Sequence, residues 1–155
     1  MMELIKRSEE DRKICTVLEP YMPDEYAARG CSYHIQQAIE KQMKALLLAY
    51  GIDYPRVHNI QTLLNKIREN DIQLDENLLN DIEDLSDTLT AWEAMSRYDA
   101  DQSFTERKYN KAKNLYDNLK SVLDQIVQMY LTNEETEDYS EEDTIITPDS
   151  AEGRK

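Results

Sequence analysis

The sequence predicts an all-α protein, an up-down bundle of four to five helices. Its 155 residues include only three glycines and four prolines, too few for long sheets joined by tight turns. Residues that favour helices, such as Leu, Ala, Glu, Lys and Gln, dominate the chain. Apolar residues recur at spacings of three and four, the period of a helix face packed on a core. A chain of this length forms about one domain.

The first predicted helix begins at Ser8 and ends at Pro20 and Pro23. Ser8 followed by Asp11 has the spacing of a helix cap, and a proline cannot continue a helix. The residues predicted to face inward recur with helical spacing: Ile14, Val17, Leu18 and Tyr21.

The second predicted helix runs from Asp24 to Tyr50 and stops at Gly51. Gly30 inside this run costs about 1 kcal/mol, so the regular part is expected to begin near Cys31. The predicted inward stripe consists of Ile35, Ala38, Ile39, Met43, Leu46, Leu47 and Tyr50.

Three further helices complete the predicted bundle. The third starts at His58 or Asn59, and the fourth spans Glu76 to Tyr98. The fifth opens at the capping box Ser103-Phe104-Thr105-Glu106. The predicted inward residues are Ile60, Leu63, Leu64 and Ile67 in the third helix, Leu78, Ile82, Leu85, Leu89 and Trp92 in the fourth, and Tyr109, Ala112, Tyr116, Leu119, Leu123, Ile126 and Tyr130 in the fifth.

Charge divides the chain into a helical domain, residues 1–130, and an acidic tail, residues 131–155. The tail has nine acids, two bases and little apolar content, so we expect it to be disordered. The net charge of −14 argues against general affinity for nucleic acids. The distribution is uneven, however, because residues 27–68 carry six bases and two acids.

Several protein classes are excluded by what the sequence lacks. It has no apolar run long enough to span a membrane and no signal-peptide pattern. Two cysteines make no disulfide framework, so we expect a cytoplasmic protein. A glycine-rich phosphate loop, a nucleophile elbow and the paired Glu-x-x-His motif of di-iron bundles are all missing, and we expect no cofactor.

Three segments, in order along the chain, resemble motifs of the HEPN domain family. The resemblance covers about residues 24–130. In the last segment Asp99 stands where the family usually has proline. The segments are Tyr33-His34-Ile35-Gln36-Gln37-Ala38-Ile39-Glu40-Lys41-Gln42-Met43-Lys44-Ala45-Leu46-Leu47, Tyr54-Pro55-Arg56-Val57-His58-Asn59-Ile60 and Ser96-Arg97-Tyr98-Asp99.

The resemblance implies a homodimeric bundle with a role around nucleotides or RNA. Family members often act as partners of a minimal nucleotidyltransferase in toxin–antitoxin and defence modules. Ribonucleases of the family carry a histidine that four to six residues separate from an arginine near the position of Arg97. No histidine follows Arg97 in this chain. The resemblance therefore favours binding over cleavage.

The candidate contacts for nucleotide or RNA lie in two places. Arg97 is the lone base between Glu69 and Asp101. It can form an ion pair with Glu93 or Asp101. Alternatively, its guanidinium group can bind phosphate through two hydrogen bonds, with help from Tyr98. The second place is a polar stripe on the second helix, made of Gln37, Glu40, Lys41 and Lys44.

Two interpretations of that stripe stay open. It is either a solvated face with a Glu40–Lys44 pair worth about 0.3 kcal/mol, or a face for a second copy or a ligand. The resemblance favours the second interpretation. Lys41 and Lys44 would then contact nucleotide or RNA, while Gln37 and Glu40 would line the face between two copies.

The histidines add weaker candidates. His58, at a helix start, is either a packed or capping residue or a further ligand contact. Arg29 and His34 have the ribonuclease spacing, but they lie at the start of the second helix. Cys31 and His34 could form half of a zinc site, yet no second pair has suitable spacing, so we predict no metal.

Three functional hypotheses follow from the sequence. The first is a dimeric module that binds nucleotide, RNA or a nucleotidyltransferase partner without efficient chemistry of its own. The second is a weak, metal-independent ribonuclease that uses Arg97 or the Arg29/His34 pair. The third is a purely structural interaction module whose acidic tail covers a basic partner or face.

Overall fold

In the computed structural model, the backbone is described for residues 1–95 and 104–152, and side chains are described for 1–94 and 104–135. These residues form α-helices and no strand, as predicted. A short 3₁₀ turn, Glu19–Tyr21, follows the first helix. The helices are α1 (Met2–Leu18), α2 (Glu25–Ala49), α3 (Ile60–Glu69), α4 (Glu76–Met95) and α5 (Glu106–Glu152). None of the described helices is long and apolar enough to cross a membrane.

The chain separates into two compact units, Met1–Ser121 and Val122–Lys155. The second unit contains the C-terminal part of α5, where residues 131–135 are all exposed. The sequence predicted disorder for residues 131–155, whereas the structure continues as a helix to Glu152. The many glutamates of this segment favour helix. The division at residue 130 into bundle and tail stays a prediction.

The start of α1 differs from the prediction. The helix begins at Met2, so Ser8 lies inside it rather than at its end. The Ser8 hydroxyl donates a hydrogen bond to the backbone carbonyl of Ile5 at 2.7 Å. The predicted capping role of Ser8 is therefore wrong.

The predicted inward stripe of α1 is also largely wrong. Val17 and Tyr21 are 68% and 65% exposed, and Ile14 is exposed as well. The buried positions of this helix are polar or small: Ser8, Asp11 and Cys15. The side of α1 that faces α2 is therefore polar, and it makes the hydrogen bonds described below.

Helix α2 is confirmed closely. Asp24 caps it by accepting hydrogen bonds from the backbone nitrogens of two residues in the first turn. Gly51 follows the helix with a φ of 72°, which glycine adopts readily. All predicted inward residues are buried except Tyr50, which is half-exposed. Gly30 does not delay the helix, which is regular from Glu25.

The reason for Gly30 is a close approach between the end of α1 and α2. A Cβ atom added at Gly30 would lie 2.5 Å from the Cδ1 atom of Leu18. Glycine therefore allows the two helices to pack, which compensates for its unfavourable effect on the helix.

Helices α3 and α4 confirm the predicted apolar stripes in full. Every predicted inward residue of both helices is buried in the structure. Asn59 caps α3 by accepting from the backbone nitrogen of Thr62 at 2.9 Å. The Thr90 hydroxyl of α4 accepts from the backbone nitrogen of Ile60 at 3.3 Å, which joins this part of α4 to the start of α3.

Helix α5 begins as expected, but with a different cap. Thr105 is the capping residue, and its hydroxyl accepts from the backbone nitrogen of Lys108 at 3.1 Å. The predicted cap, Ser103, lies outside the described residues. Aromatic rings of Trp92, Phe104 and Tyr109 follow one another at centroid distances of 5.7 and 5.9 Å, and they join α4 to α5 in the core.

Candidate functional site

Two residues of the polar stripe of α2, Glu40 and Lys44, are buried rather than solvated, and so is the neighbouring Gln36. Gln36 is fully buried, Glu40 is 3% exposed, and Lys44 is 8% exposed. A charged group held away from water needs partners, because its desolvation is otherwise costly. The structure supplies them in two clusters of contacts.

The first cluster centres on Asp11, which α1 places against α2. The carboxylate of Asp11 accepts a hydrogen bond from Lys41 Nζ. Its other oxygen lies 2.8 Å from His34 Nδ1. The side chains of His34 and Lys41 are about a quarter exposed, at 25% and 23%. Both groups therefore bond to a buried carboxylate while part of each reaches the surface.

The second cluster centres on Glu40, one residue before Lys41. Glu40 accepts from Lys44 Nζ at 3.1 Å and from the Gln36 amide at 3.0 Å. His58, from the loop before α3, places its Nδ1 3.1 and 3.2 Å from the two oxygens of this carboxylate. The ammonium group of Lys44 also lies 5.2 Å from the ring centroid of Tyr54.

The two histidines are therefore held in the same way. A carboxylate oxygen can only accept, so the Nδ1 atoms of His34 and His58 carry the hydrogen. No described residue forms a hydrogen bond with either Nε2 atom. The ring of His34 also has an edge contact with Tyr33 at 5.1 Å, and the side chain of His58 is 47% exposed.

We call the resulting surface the α2 polar face. It comprises His34, Gln37, Lys41 and Lys44 of α2 together with His58. The lysines are balanced by the two carboxylates, so the face gains positive charge only when the histidines are protonated. Such an arrangement can donate hydrogen bonds to an anion or exchange a proton at a histidine Nε2.

Most of the predicted site residues are thus brought together, with one exception among the described residues. Arg29 pairs with Glu25 at 3.1 Å, whereas His34 pairs with Asp11, so Arg29 and His34 have different partners. Arg97 and Tyr98 lie outside the described residues. The roles assigned from sequence to these residues stay predictions, as do those of Gln37, Glu40, Lys41, Lys44 and His58.

Sequence analysis missed Asp11, Gln36 and Tyr54. The sequence pattern assigned Asp11 to the N-terminal cap of the first helix. In the structure this helix begins at Met2, nine residues before Asp11. No local pattern marks an aspartate on the buried side of an otherwise charged helix. Gln36 does lie beside the predicted stripe, and its position next to Gln37 was the one available signal.

A third polar contact, around Glu19, positions α1 for the Asp11 cluster. The carboxylate of Glu19 lies 3.3 Å from Arg12, 3.1 Å from Lys113 and 3.2 Å from the Tyr109 hydroxyl. Burial raises the pKa of Glu19, but Lys113 and Arg12 outweigh this effect, so the net pKa is lowered. The ionised carboxylate therefore joins the end of α1 to α5.

Cys15 and Cys31 form the contact between α1 and α2 one turn away from Asp11 and His34. Each thiol points at the backbone carbonyl of the other residue, at 3.6 and 3.8 Å. Burial raises the pKa of Cys15 to about 12 and also raises that of Cys31. These thiols pack as small apolar groups. Among the described residues, no cluster of three His, Cys, Asp or Glu side chains could hold a metal ion.

The bases of α5 do not form a continuous strip. Lys113 is paired with Glu19, and Lys111 instead lines a cavity of about 220 Å³ that faces α4. The other residues lining this cavity are Asp81, Asp84, Leu85 and Asn114. Carboxylates therefore surround Lys111, which makes it a poor phosphate contact.

Comparison with known proteins identifies the family. The HEPN domain matches residues 1–130 of the chain, which include every described residue of the α2 polar face and the core of the bundle. Searches of curated proteins and of solved structures gave no match. The chain belongs to the HEPN domain family.

Proposed function

We propose that this HEPN protein is a binding module that holds the phosphate of a nucleotide or of RNA at the α2 polar face. The observation that carries the proposal is the pair of histidines, His34 and His58, each anchored through Nδ1 to a buried carboxylate. Each leaves its Nε2 without a partner among the described residues, next to a lysine of the same face.

The small net free energy of the buried polar contacts around Asp11 and Glu40 supports a role beyond folding for these contacts. A buried ion pair such as Glu40–Lys44 adds little net stability, because desolvation offsets its attraction. Apolar residues at these positions would often stabilise a fold as well. A polar network with exposed edges is consistent with a surface that recognises a ligand.

Charge supports an anionic ligand. The Asp11 and Glu40 carboxylates balance Lys41 and Lys44, so protonated histidines would supply the net positive charge and the hydrogen bonds to phosphate oxygens at the Nε2 positions. The surrounding stretch, residues 27–68, is the most basic part of an otherwise acidic chain. The face can therefore attract phosphate locally despite the net charge of −14.

The same proposal includes the setting that family membership suggests. The module would act in the cytoplasm, as a homodimer, with a nucleotidyltransferase-fold partner in a toxin–antitoxin or defence system. The nucleotide bound at the α2 polar face would then be a ligand shared with that partner.

Binding measurements with matched variants test the proposal. We expect His58→Gln and Lys41→Gln to weaken binding of a fluorescent RNA oligomer or of ATP by about tenfold, because each removes a charged hydrogen bond. Lys111→Gln removes one positive charge outside the α2 polar face and should leave the affinity unchanged. Fluorescence anisotropy at low and moderate salt would report both effects.

The outcomes separate the hypotheses. Equal affinity in all three variants would remove the α2 polar face from consideration. Undetectable binding by the wild-type chain at low salt would instead favour the purely structural interaction module. A loss of affinity for RNA or ATP in Lys111→Gln alone would indicate that the ligand binds on the α4–α5 side of the first unit.

Metal-independent cleavage of RNA is a second candidate, favoured by the Asp11–His34 contact. A carboxylate that orients a histidine is the arrangement of a general base. His34 Nε2 would take the proton of a ribose 2′-hydroxyl, whose oxygen attacks the phosphorus and forms a 2′,3′-cyclic phosphate. The P–O5′ bond breaks in this step, and the departing 5′-oxygen takes a proton from water. Incubating labelled RNA with wild type, His34→Ala and Arg97→Ala in a chelator tests this candidate, and intact RNA after incubation with wild type ends it.

A further inference from the structure

The two cysteines of the chain, Cys15 and Cys31, face each other where α1 packs on α2. The thiol of Cys15 lies 3.6 Å from the carbonyl oxygen of Cys31, and the thiol of Cys31 lies 3.8 Å from the carbonyl oxygen of Cys15. A carbonyl oxygen is about 2.4 Å from the Cα atom of its own residue, so each sulfur lies within about 6 Å of the other Cα atom. Both side chains are fully buried.

The packing of α1 on α2 keeps these cysteines opposite each other. One flanking contact joins Asp11 to His34, and the other brings Leu18 close to Gly30. Residue numbers therefore rise along α1 as they fall along α2, which makes the two helices antiparallel. The cysteines lie between the two flanking contacts on both helices. Their proximity follows from the register of the helices and not from one side-chain conformation alone.

A third residue, Tyr109 of α5, contacts both thiols. Its hydroxyl forms a hydrogen bond with each of them and donates to the carboxylate of Glu19 at 3.2 Å. Two sulfur atoms that share one hydroxyl are close to each other. The Tyr109 side chain is fully buried, so it also separates the thiols from solvent.

The surroundings of the thiols suit an uncharged group. Burial raises the pKa of both cysteines, so both are neutral thiols in the folded chain. Proteins whose reduced form is stabilised as a thiolate have disulfides that are easily reduced. Neither thiol here has that stabilisation. A disulfide carries no charge and needs no hydrogen-bond acceptor, so it fits the same buried place.

We propose that Cys15 and Cys31 form a reversible disulfide that links α1 to α2 under oxidising conditions. The oxidant is a small disulfide such as oxidised glutathione. As the bundle opens, one cysteine thiolate attacks a glutathione sulfur, which gives a mixed disulfide and releases one glutathione thiolate. The other cysteine thiolate then attacks the protein sulfur of the mixed disulfide and releases the second glutathione. The two protons of the cysteines end on the two glutathione molecules.

The disulfide would hold the neighbouring part of the α2 polar face. Cys15 is one helical turn from Asp11, and Cys31 is one turn from His34. A covalent link at the cysteines therefore keeps the Asp11 carboxylate against α2. Disulfides in reducing compartments are usually transient and often sense oxidants. Failure of ligand binding would leave this proposal untouched, and a chain without the disulfide would leave the ligand site untouched.

Oxidation of the full-length chain in glutathione buffers tests the proposal. The chain is equilibrated at pH 8 over a wide range of ratios of oxidised to reduced glutathione, starting from either form. Acid stops the exchange, a maleimide labels the free thiols in urea, and mass spectrometry counts them. We expect the native chain to be half-oxidised at a ratio about a hundredfold lower than the same chain in urea. The reason is that the fold already closes the loop between two thiols that are 16 positions apart.

Three variants serve as controls. Cys15→Ser and Cys31→Ser each keep one thiol, so they can form only a mixed disulfide with glutathione. The combination of Cys15→Ser with Val17→Cys keeps two thiols but moves one to a position of α1 that is 68% exposed. It should form an intramolecular disulfide no more readily when folded than in urea. Circular dichroism confirms folding, and the comparison of native and unfolded wild type does not depend on any variant.

The outcomes are distinct. Loss of both free thiols in the native wild type, without bound glutathione, supports the proposal. The oxidised chain should then melt about 5–10 °C above the reduced chain. A native chain that keeps its thiols, or that accumulates mixed disulfide, at ratios that oxidise the unfolded chain would overturn the proposal. So would a disulfide between chains on a non-reducing gel, or a Val17→Cys control that is oxidised as easily as the wild type.

Discussion

The Asp11 carboxylate lies 2.8 Å from the His34 ring nitrogen, although 23 positions separate the two residues in the chain. This contact, with that from Lys41 to the same carboxylate, joins α1 to α2. Here two predicted candidate residues of α2 meet the helix whose orientation the sequence predicted wrongly. The orientation of α1 and the chemistry of the α2 polar face are therefore coupled.

We expect Asp11→Asn to lower the free energy of unfolding by about 1–3 kcal/mol. The amide cannot pair with Lys41, which leaves a partly buried ammonium group without its counter-charge. Urea unfolding measures the loss. Glu3→Gln, which removes an exposed ion pair of α1, is the control and should change little. Equal stability of Asp11→Asn and wild type would show that the contact is unimportant.

Gly30→Ala should lower the free energy of unfolding by about 1 kcal/mol, despite the better helix propensity of alanine. The added methyl group would overlap Leu18, and overpacking costs about 1–3 kcal/mol against a gain of about 1 kcal/mol. In a Leu18→Ala background the same substitution should be stabilising. A double-mutant cycle by thermal unfolding checks this change of sign, and independent effects would contradict the close approach.

Cys15 and Cys31 should resist alkylation in the native protein at pH 8. The reactive species is the thiolate, and burial raises the pKa of Cys15 to about 12 and excludes reagent from both thiols. Mass spectrometry after treatment with iodoacetamide should show labelling only as fast as the bundle opens. In urea both thiols should react at once, and rapid labelling of the native chain would contradict the packing of α1 on α2.

Glu19→Gln should reduce the loss of stability on the acid side. The pKa of Glu19 is lowered from 4.5 in the folded chain, so its contribution is present above that pH and is lost as the pH falls further. The wild type should therefore lose more stability than the variant between about pH 5 and pH 3. Urea midpoints across this range measure the difference, and parallel curves would rule out the contribution.

The sequence predicted α2, α3 and α4 well because their stability depends on apolar burial, which has a clear period. Ile60, Leu63, Leu64 and Ile67 recur at the helical spacing and are all fully buried. Pattern and packing have the same physical cause here, since the apolar face of a helix is the one removed from water.

Prediction failed for α1 because its inward side is polar. Ser8 and Asp11 have the sequence features of a helix cap, and only the position of α2 shows that they face the interior. The candidate site was predictable where it lies on one helix, as for Lys41 and Lys44. Asp11 comes from another helix and was not predicted. His58 was a predicted candidate, but its contact with Glu40 was not, because contacts across elements leave no local signal in one sequence.

The polar inward side of α1 has a consequence for local opening. Cys15 is its only fully buried residue of apolar character, and directional bonds join the helix and its end to α2 and α5. Detaching α1 uncovers His34 and Lys41, whose polar groups can be hydrated at once. Amide hydrogens of α1 should therefore exchange with solvent before those of α2 and α3, at a free energy below that of global unfolding.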